Sequence, residues 1–290
     1  MFGIVLIDKP LGLTSHDAIH RLRRVFGLRR IGHSGTLDPA ATGLLVVAVG
    51  PATRFLQYLD LEPKVYEATI RFGQTSNTFD TEGELSDPVA VPSDLESRLQ
   101  HVIPSFLGLV EQVPPMHSAV KVKGQPLYRM ARQGVTIERA PRTIHIGRLE
   151  VRWVEGQDVG LTVECSGGTY IRTLADDLGR AVGVGAYLAA LRRIRSGRFH
   201  LDEAEELDAV DEHHVLTLGE ALPPMPIVGL DAEQSRRIRT GSVAQSPEDC
   251  SADKVAVAGP DGEVIGVARV QGRELHPECV LPIEVCRDPL

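Results

Sequence analysis

Residues 65–72, "VYEATIRF", set Tyr66, Ala68, Ile70 and Phe72 two apart, with Glu67, Thr69 and Arg71 between them. A period of two belongs to an extended strand whose successive side chains face opposite ways. The segment therefore predicts a half-buried strand with Tyr66 on its apolar face. Such a strand needs paired neighbours, and the chain supplies them. "IVLI" (4–7) and "LLVVAV" (44–49) read as short buried strands, and "TIHIGRLEVRWV" and "LTVEC" as further ones.

Helices lie between these strands. In "TSHDAIHRLRRVFG", Thr14 and Asp17 have capping-box spacing, Ile19, Leu22 and Phe26 share one face, and Gly27 is placed to end the helix. The arginines fall largely on the opposite face. Residues 93–103 read as a capped amphipathic helix, and "TYIRTLADDLGRAV" as a helix starting just after Gly167 and Gly168. Residues 112–142 are rich in Pro, Gly and basic side chains, with a short helix near 127–133, and read as an excursion from the core. Strands and helices in no repeating order predict an α+β domain with a mixed, mostly antiparallel sheet, flanking helices and a central cleft. "LPPMP" (222–226) is the linker candidate, followed by a hairpin around Pro260, Asp261 and Gly262. The expected division is 1–224 for the first domain and 225–290 for a small β-rich module.

With 290 residues, 42% of them hydrophobic, the chain can bury a sizeable core. No run of eighteen apolar residues occurs, so no membrane span is expected, and "MFGIVLIDKP" does not read as a secretory leader. Cys165, Cys250, Cys279 and Cys286 form no CxxC pair and read as reduced thiols of a cytoplasmic protein. The net charge of −8 argues at first against a polyanionic partner. Its distribution reverses that, because residues 201–220 hold eight acids and no Lys or Arg, which leaves the remainder formally neutral. Arginine is clustered at Arg21, Arg23, Arg24, Arg29 and Arg30, at Arg192, Arg193, Arg195 and Arg198, and at Arg236, Arg237 and Arg239. One such cluster reads as a solvated helix face, whereas three together point to an anionic polymer.

"GHSGTLDPAATGLL" (32–45) sets Asp38 in a glycine-punctuated turn between arginines and an apolar run. It contains no GxxxxGK[ST] phosphate loop, and Gly32-x-x-Gly35 is too short to identify an RNA clamp. A glycosidase pair would need Asp8, Asp80, Asp176 or Asp177 as second carboxylate, with none singled out, and Ser34 lies in no nucleophile elbow. What remains is one carboxylate, a tyrosine on a buried strand face, and Arg172 in the first turn of a helix. A cation there opposes the helix dipole and asks for an acidic partner. Asp38 is a candidate, and an adjacent arginine would keep it ionised at neutral pH. On spacing alone the better reading is a carboxylate that braces its own turn, with Arg172 at the surface.

"DKPLGLTS", "GHSGTLDPAATGLL", "YEATIRFGQTSNTFDTEG", "PPMHSAVKVKGQPLYRMARQG" and "CSGGTYIRTLADDLG", in this order, resemble the TruB-type tRNA pseudouridine-55 synthases over nearly the whole first domain. More weakly, the tail resembles the small PUA-like β-barrel of that family. The resemblance implies an isomerase that flips the T-loop uridine of tRNA and converts it to pseudouridine, with no cofactor or metal. It implies Asp38 as the catalytic aspartate, Tyr66 as the tyrosine stacked on the target base, and Arg172 as the partner of the carboxylate. His33 then contacts RNA around the flipped nucleotide, and Lys9 with Pro10 forms a motif supporting the site. Residues 112–142 match an insertion that closes over the RNA stem-loop. Its Lys121, Lys123, Arg129 and Arg132 are expected at the RNA, as are Lys9 and Arg193. Asn77, His117 and Ser34 depart from the family pattern, where aspartate, tyrosine and threonine are common. The expected partner is the tRNA T arm, and the expected state is a cytoplasmic monomer. A non-catalytic RNA-binding protein would be favoured by loss of Asp38, Tyr66 or Arg172, and all three are present. A synthase acting on another RNA position and, more distantly, a glycosidase are the other readings.

Overall fold

The computed structural model describes residues 1–118, 121–122, 124–127, 130, 134–135, 137–247 and 249–283. Compactness divides the chain into two units. Met1–Asp38, Leu44–Leu61 and Arg198–Leu290 form the first, and Pro39–Gly43 with Glu62–Gly197 form the second.

The first unit opens with β1 (Gly3–Lys9), α1 (Ser15–Phe26) and β2 (Ile31–Ser34), and most of β3 (Ala41–Val49) belongs to it. The capping box at α1 forms as its spacing predicts: Thr14 Oγ1 accepts from the Asp17 amide, and the Thr14 amide donates to the Asp17 carboxylate. Gly27 ends the helix in the left-handed conformation. Ala18, Ile19, Leu22 and Phe26 then bury the apolar face of α1 against Val5, Ile7, Leu45 and Val47. β1 lies beside β3, and β2 runs antiparallel to β3. On its other side β1 pairs in parallel with Glu205–Glu206, so the acidic segment supplies a short edge strand.

In the second unit the layout is β4 (Lys64–Phe72), α2 (Leu95–Val102), β5 (Gly108–Gln112), β6 (Arg142–Glu155), β7 (Asp158–Cys165), α3 (Ile171–Val182) and β8 (Ala186–Ser196). β4 is central, antiparallel to β8 on one side and to β7 on the other, and β6 and β5 continue the sheet antiparallel. The first residues of β3, Ala41–Gly43, pair in parallel with Leu191–Arg193. Tyr66, Ala68, Ile70 and Phe72 are all buried, as the alternation predicts. The cap expected on α2 does not form: Asp94 occupies the cap position without a capping bond, and its carboxylate takes Arg98 Nε at 2.9 Å instead. Of the excursion, Lys121–Val122 and Gln125–Pro126 pair as a short hairpin, and most of the helix expected at 127–133 lies outside the described residues.

The tail adds β9 (Ile227–Gly229), α4 (Ala232–Arg239), β10 (Ala244–Gln245), β11 (Lys254–Ala258), β12 (Val264–Gln271) and β13 (Glu274–Val280). They form a curled sheet of order β9-β11-β12-β13-β10, parallel only between β9 and β11. Its two faces are used differently. Val255, Val257, Ile265 and Leu275 pack on Ile238 of α4, whereas Ala256, Val264, Val267 and Cys279 share a core with Ile4, Leu6, Leu44, Val46 and Phe55. For this reason compactness groups the tail with the N-terminal strands and does not divide the chain at 224/225. The fold as a whole is α+β, with a mostly antiparallel sheet, flanking helices and the curled C-terminal sheet.

Candidate active site

Asp38 ends Met1–Asp38, the first segment of the first unit, and is half-buried. The residue before it is tied down. Ser15, at the start of α1 and 1% exposed, takes the Leu37 amide at 2.8 Å and donates to the Leu37 carbonyl at 3.0 Å. One buried hydroxyl thus satisfies both backbone groups of Leu37 and fixes where the chain delivers Asp38. Ser15 closes the segment "DKPLGLTS", but its role depends on a residue 22 positions away, and nothing local announces it. Lys9 braces the turn before α1 by donating to the carbonyls of Pro10 at 2.9 Å and Leu13 at 2.7 Å. His33 lies on β2 opposite Val47 and is half-buried.

In the second unit Tyr66 sits on β4 between Val163 of β7 and Arg193 of β8. Tyr66 is 7% exposed, so packing within the sheet holds its side chain in place. Arg172 is the second residue of α3, and its helix start is anchored from β5. Gln112 Nε2 donates to the Tyr170 carbonyl at 3.0 Å and Gln112 Oε1 accepts the Tyr170 amide at 2.8 Å. The guanidinium donates to the Asp80 carboxylate at 2.9 Å and to the His117 carbonyl at 2.8 Å. Both members of the Arg172–Asp80 pair are buried. Asp80 therefore supplies an acidic partner of the kind the helix position demands, where the sequence had offered Asp38 as the candidate. At His117, one of the departures from the family pattern, it is the backbone carbonyl that accepts from Arg172.

Two of the cations expected at the RNA are enclosed by the fold. Lys9 is fully buried and Arg193 is 1% exposed, so neither presents its charge to a polyanion at the surface. Both act on their own chain, Lys9 on the turn before α1 and Arg193 beside Lys64. Burial, reinforced by the Arg193 charge, pushes the Lys64 ammonium down from its ordinary pKa. Burial likewise pushes the Cys165 thiol up to about 11, which keeps it protonated and unreactive at neutral pH. Lys123, Arg129 and Arg132 lie outside the described residues, and Lys121 is described only as backbone of the short hairpin. Among the described residues no group of three or more His, Cys, Asp or Glu could hold a metal ion, and no helix is long and apolar enough to cross a membrane.

Chemically, the second unit offers an aromatic ring held still on a strand and a guanidinium held still in a dry setting. The first unit offers a carboxylate on a loop braced from beneath. Residues 23–171 match the TruB family pseudouridylate synthase (N terminal domain), and residues 172–225 match the tRNA pseudouridylate synthase B C-terminal domain. The chain is 45% identical over 276 residues to the tRNA pseudouridine synthase B of Mycobacterium sp. (strain KMS), covering 91% of each protein. It is 41% identical over 289 residues to that of Syntrophotalea carbinolica, covering 94% of each. Among solved structures, a chain in a crystal structure of a Cbf5-Nop10-Gar1 complex superposes with a TM-score of 0.65 at 27% identity, over 100% of this chain and 87% of that one.

Proposed function

The chain belongs to the TruB family and is a tRNA pseudouridine synthase, and from this premise we propose that it isomerises the T-loop uridine, position 55, with Asp38 as its catalytic carboxylate. In that reaction the N1–C1′ bond of uridine breaks and the C5–C1′ bond forms. C5 gives up its proton and N1 gains one, so nothing is oxidised or reduced. A uridine stacked in an RNA loop must first leave the stack, at a cost of a few kcal/mol. Tyr66 offsets that cost by stacking on the extruded base, a contribution of ~1–3 kcal/mol. Its phenol, held over the ring, assists removal of the C5 proton.

Asp38 acts ionised, as nucleophile or as the base of an elimination. Arg172 serves that requirement by placing a fixed positive charge at the reaction centre. His33 and the basic side chains Lys121, Lys123, Arg129 and Arg132 of the excursion contact the RNA, which binds through its phosphates without sequence being read. Residues 225–290 act as a PUA-like RNA-binding module, and the enzyme works in the cytoplasm as a monomer. The observation that carries this reading is the buried arginine at the start of α3, a position that no surface role explains.

The test uses a tRNA transcript labelled with uridine tritiated at C5. Tritium release is expected from the unaltered transcript and not from one whose T-loop uridine is replaced by cytidine. Undiminished release from the replaced transcript would place the target elsewhere in the tRNA.

A further inference from the structure

The loop 74–86 bears a carboxylate paired with Arg172, and its own side chains bond to one another around that carboxylate. Asp80 Oδ2 accepts Arg172 at 2.9 Å, while Oδ1 accepts the Thr78 hydroxyl at 2.5 Å and the Glu82 amide at 3.0 Å. A contact of 2.5 Å is that of a charge-assisted O–H···O⁻ bond. An ionised carboxylate has no proton to give, so the single hydroxyl proton of Thr78 is committed to Asp80. In the 3.1 Å contact between Ser76 Oγ and Thr78 Oγ1 the donor must then be Ser76, whose own oxygen accepts the Thr78 amide at 3.3 Å. The result is a polarised chain, Ser76 to Thr78 to Asp80, that meets Arg172 from the opposite side. Ser76 and Asp80 are 3% and 2% exposed.

The backbone is committed to the same end. Phe79, between Thr78 and Asp80, has φ 66°, the only positive value at a residue other than glycine among the described residues. A bulky residue persists in that region only where its surroundings impose it. Here the Phe79 amide donates to the Ser76 carbonyl at 3.0 Å, and its carbonyl accepts the Leu188 amide of β8 at 2.9 Å. Gly83 closes the cage: a methyl group there would overlap the side-chain oxygens of Ser76, Asn77 and Thr78.

We propose that Thr78 is a positioning residue for the isomerisation, its hydroxyl holding the Asp80 carboxylate in the orientation that anchors Arg172. This rests on the assignment of Arg172 to the reaction centre. Thr78→Val keeps the shape and removes the donor, whereas Thr78→Ser keeps the donor. Three quantities are read for each variant: the single-turnover rate of tritium release from the C5-labelled tRNA transcript, the tRNA dissociation constant, and the melting temperature. Thr78→Val is expected to slow the rate by about 10- to 100-fold, with tRNA affinity within about 2-fold of the unaltered protein. Thr78→Ser is expected to recover to within about 3-fold. A Thr78→Val rate within 2-fold of the unaltered protein, or a Thr78→Ser rate as low as that of Thr78→Val, would overturn the proposal. If Thr78→Val melts below the assay temperature, Ser76→Ala decides: a rate loss of roughly 3-fold or more supports the chain, and an unchanged rate sinks it. Arg172→Lys separates the two levels. Retained activity in that variant removes Arg172 from the reaction centre, whereas lost activity beside a fully active Thr78→Val removes only Thr78.

Discussion

Two arginine–aspartate pairs in the second unit invite comparison. Arg71 and Asp158 join β4 to β7 through two bonds of 2.6 Å each, and their side chains are 38% and 26% exposed. Arg172 and Asp80 meet through one bond of 2.9 Å, and their side chains are 7% and 2% exposed. By distance and geometry the first pair is the better made. By consequence the second matters more, because an exposed pair is screened and replaceable by water, whereas a buried charge that loses its partner has nowhere to go. The better-made pair fastens two strands. The buried pair holds a cation at the first turn of a helix, where only a neighbouring anion makes it tolerable.

Removing Asp80 should produce the largest effect. Asp80→Asn is expected to destabilise the protein by about 3–5 kcal/mol in urea unfolding, because the buried Arg172 loses the negative charge of Asp80. A loss below ~1 kcal/mol would show that Arg172 escapes to water or is compensated elsewhere. Ser15→Ala comes next and extends the comparison to an uncharged anchor. It strips the buried Leu37 backbone of both its bonds and is expected to cost about 1–3 kcal/mol. The rate of pseudouridine formation should fall more than tRNA affinity does, because the loop delivering Asp38 loses its brace. The smallest effect belongs to Asp158→Asn, expected to change stability at pH 7 by less than ~1 kcal/mol and to leave the isomerisation rate unchanged.

Asp158 also predicts a pH signature. Its hydrogen bonds from Arg71, opposed by partial burial, hold its pKa below the ordinary 3.8. A depressed carboxylate stabilises the folded state fully above that ordinary value and loses the contribution as pH falls through the folded one. Thermal melts below about pH 4 should therefore fall less steeply for Asp158→Asn than for the unaltered protein. Parallel curves would mean that the pair contributes nothing to acid stability.

How much of this was legible in the sequence follows from the range of the interactions. The cap of α1 and its end at Gly27 involve residues at most four apart and were readable, as was the alternation that buries Tyr66. The pairing of Arg172 with Asp80 joins residues 92 positions apart, and no local pattern links the two. The same holds for the grip of Ser15 on Leu37. The helix position of Arg172 signalled that a partner was needed without signalling which. The burial of Lys9 and Arg193 was not legible either, because a cation in a sequence looks solvated and only the fold shows it enclosed. The shared core of the tail was also out of reach, since alternation on β11 and β12 shows that both faces are apolar but not what covers the second.

The most direct measurement of the central claim is tritium release from a C5-labelled T-arm stem-loop, made with the unaltered protein and with Asp38→Asn, alongside RNA binding by both. Release by the unaltered protein, abolished in the variant while binding persists, is the predicted result. Equal release by both proteins would contradict it and move the catalytic carboxylate away from Asp38.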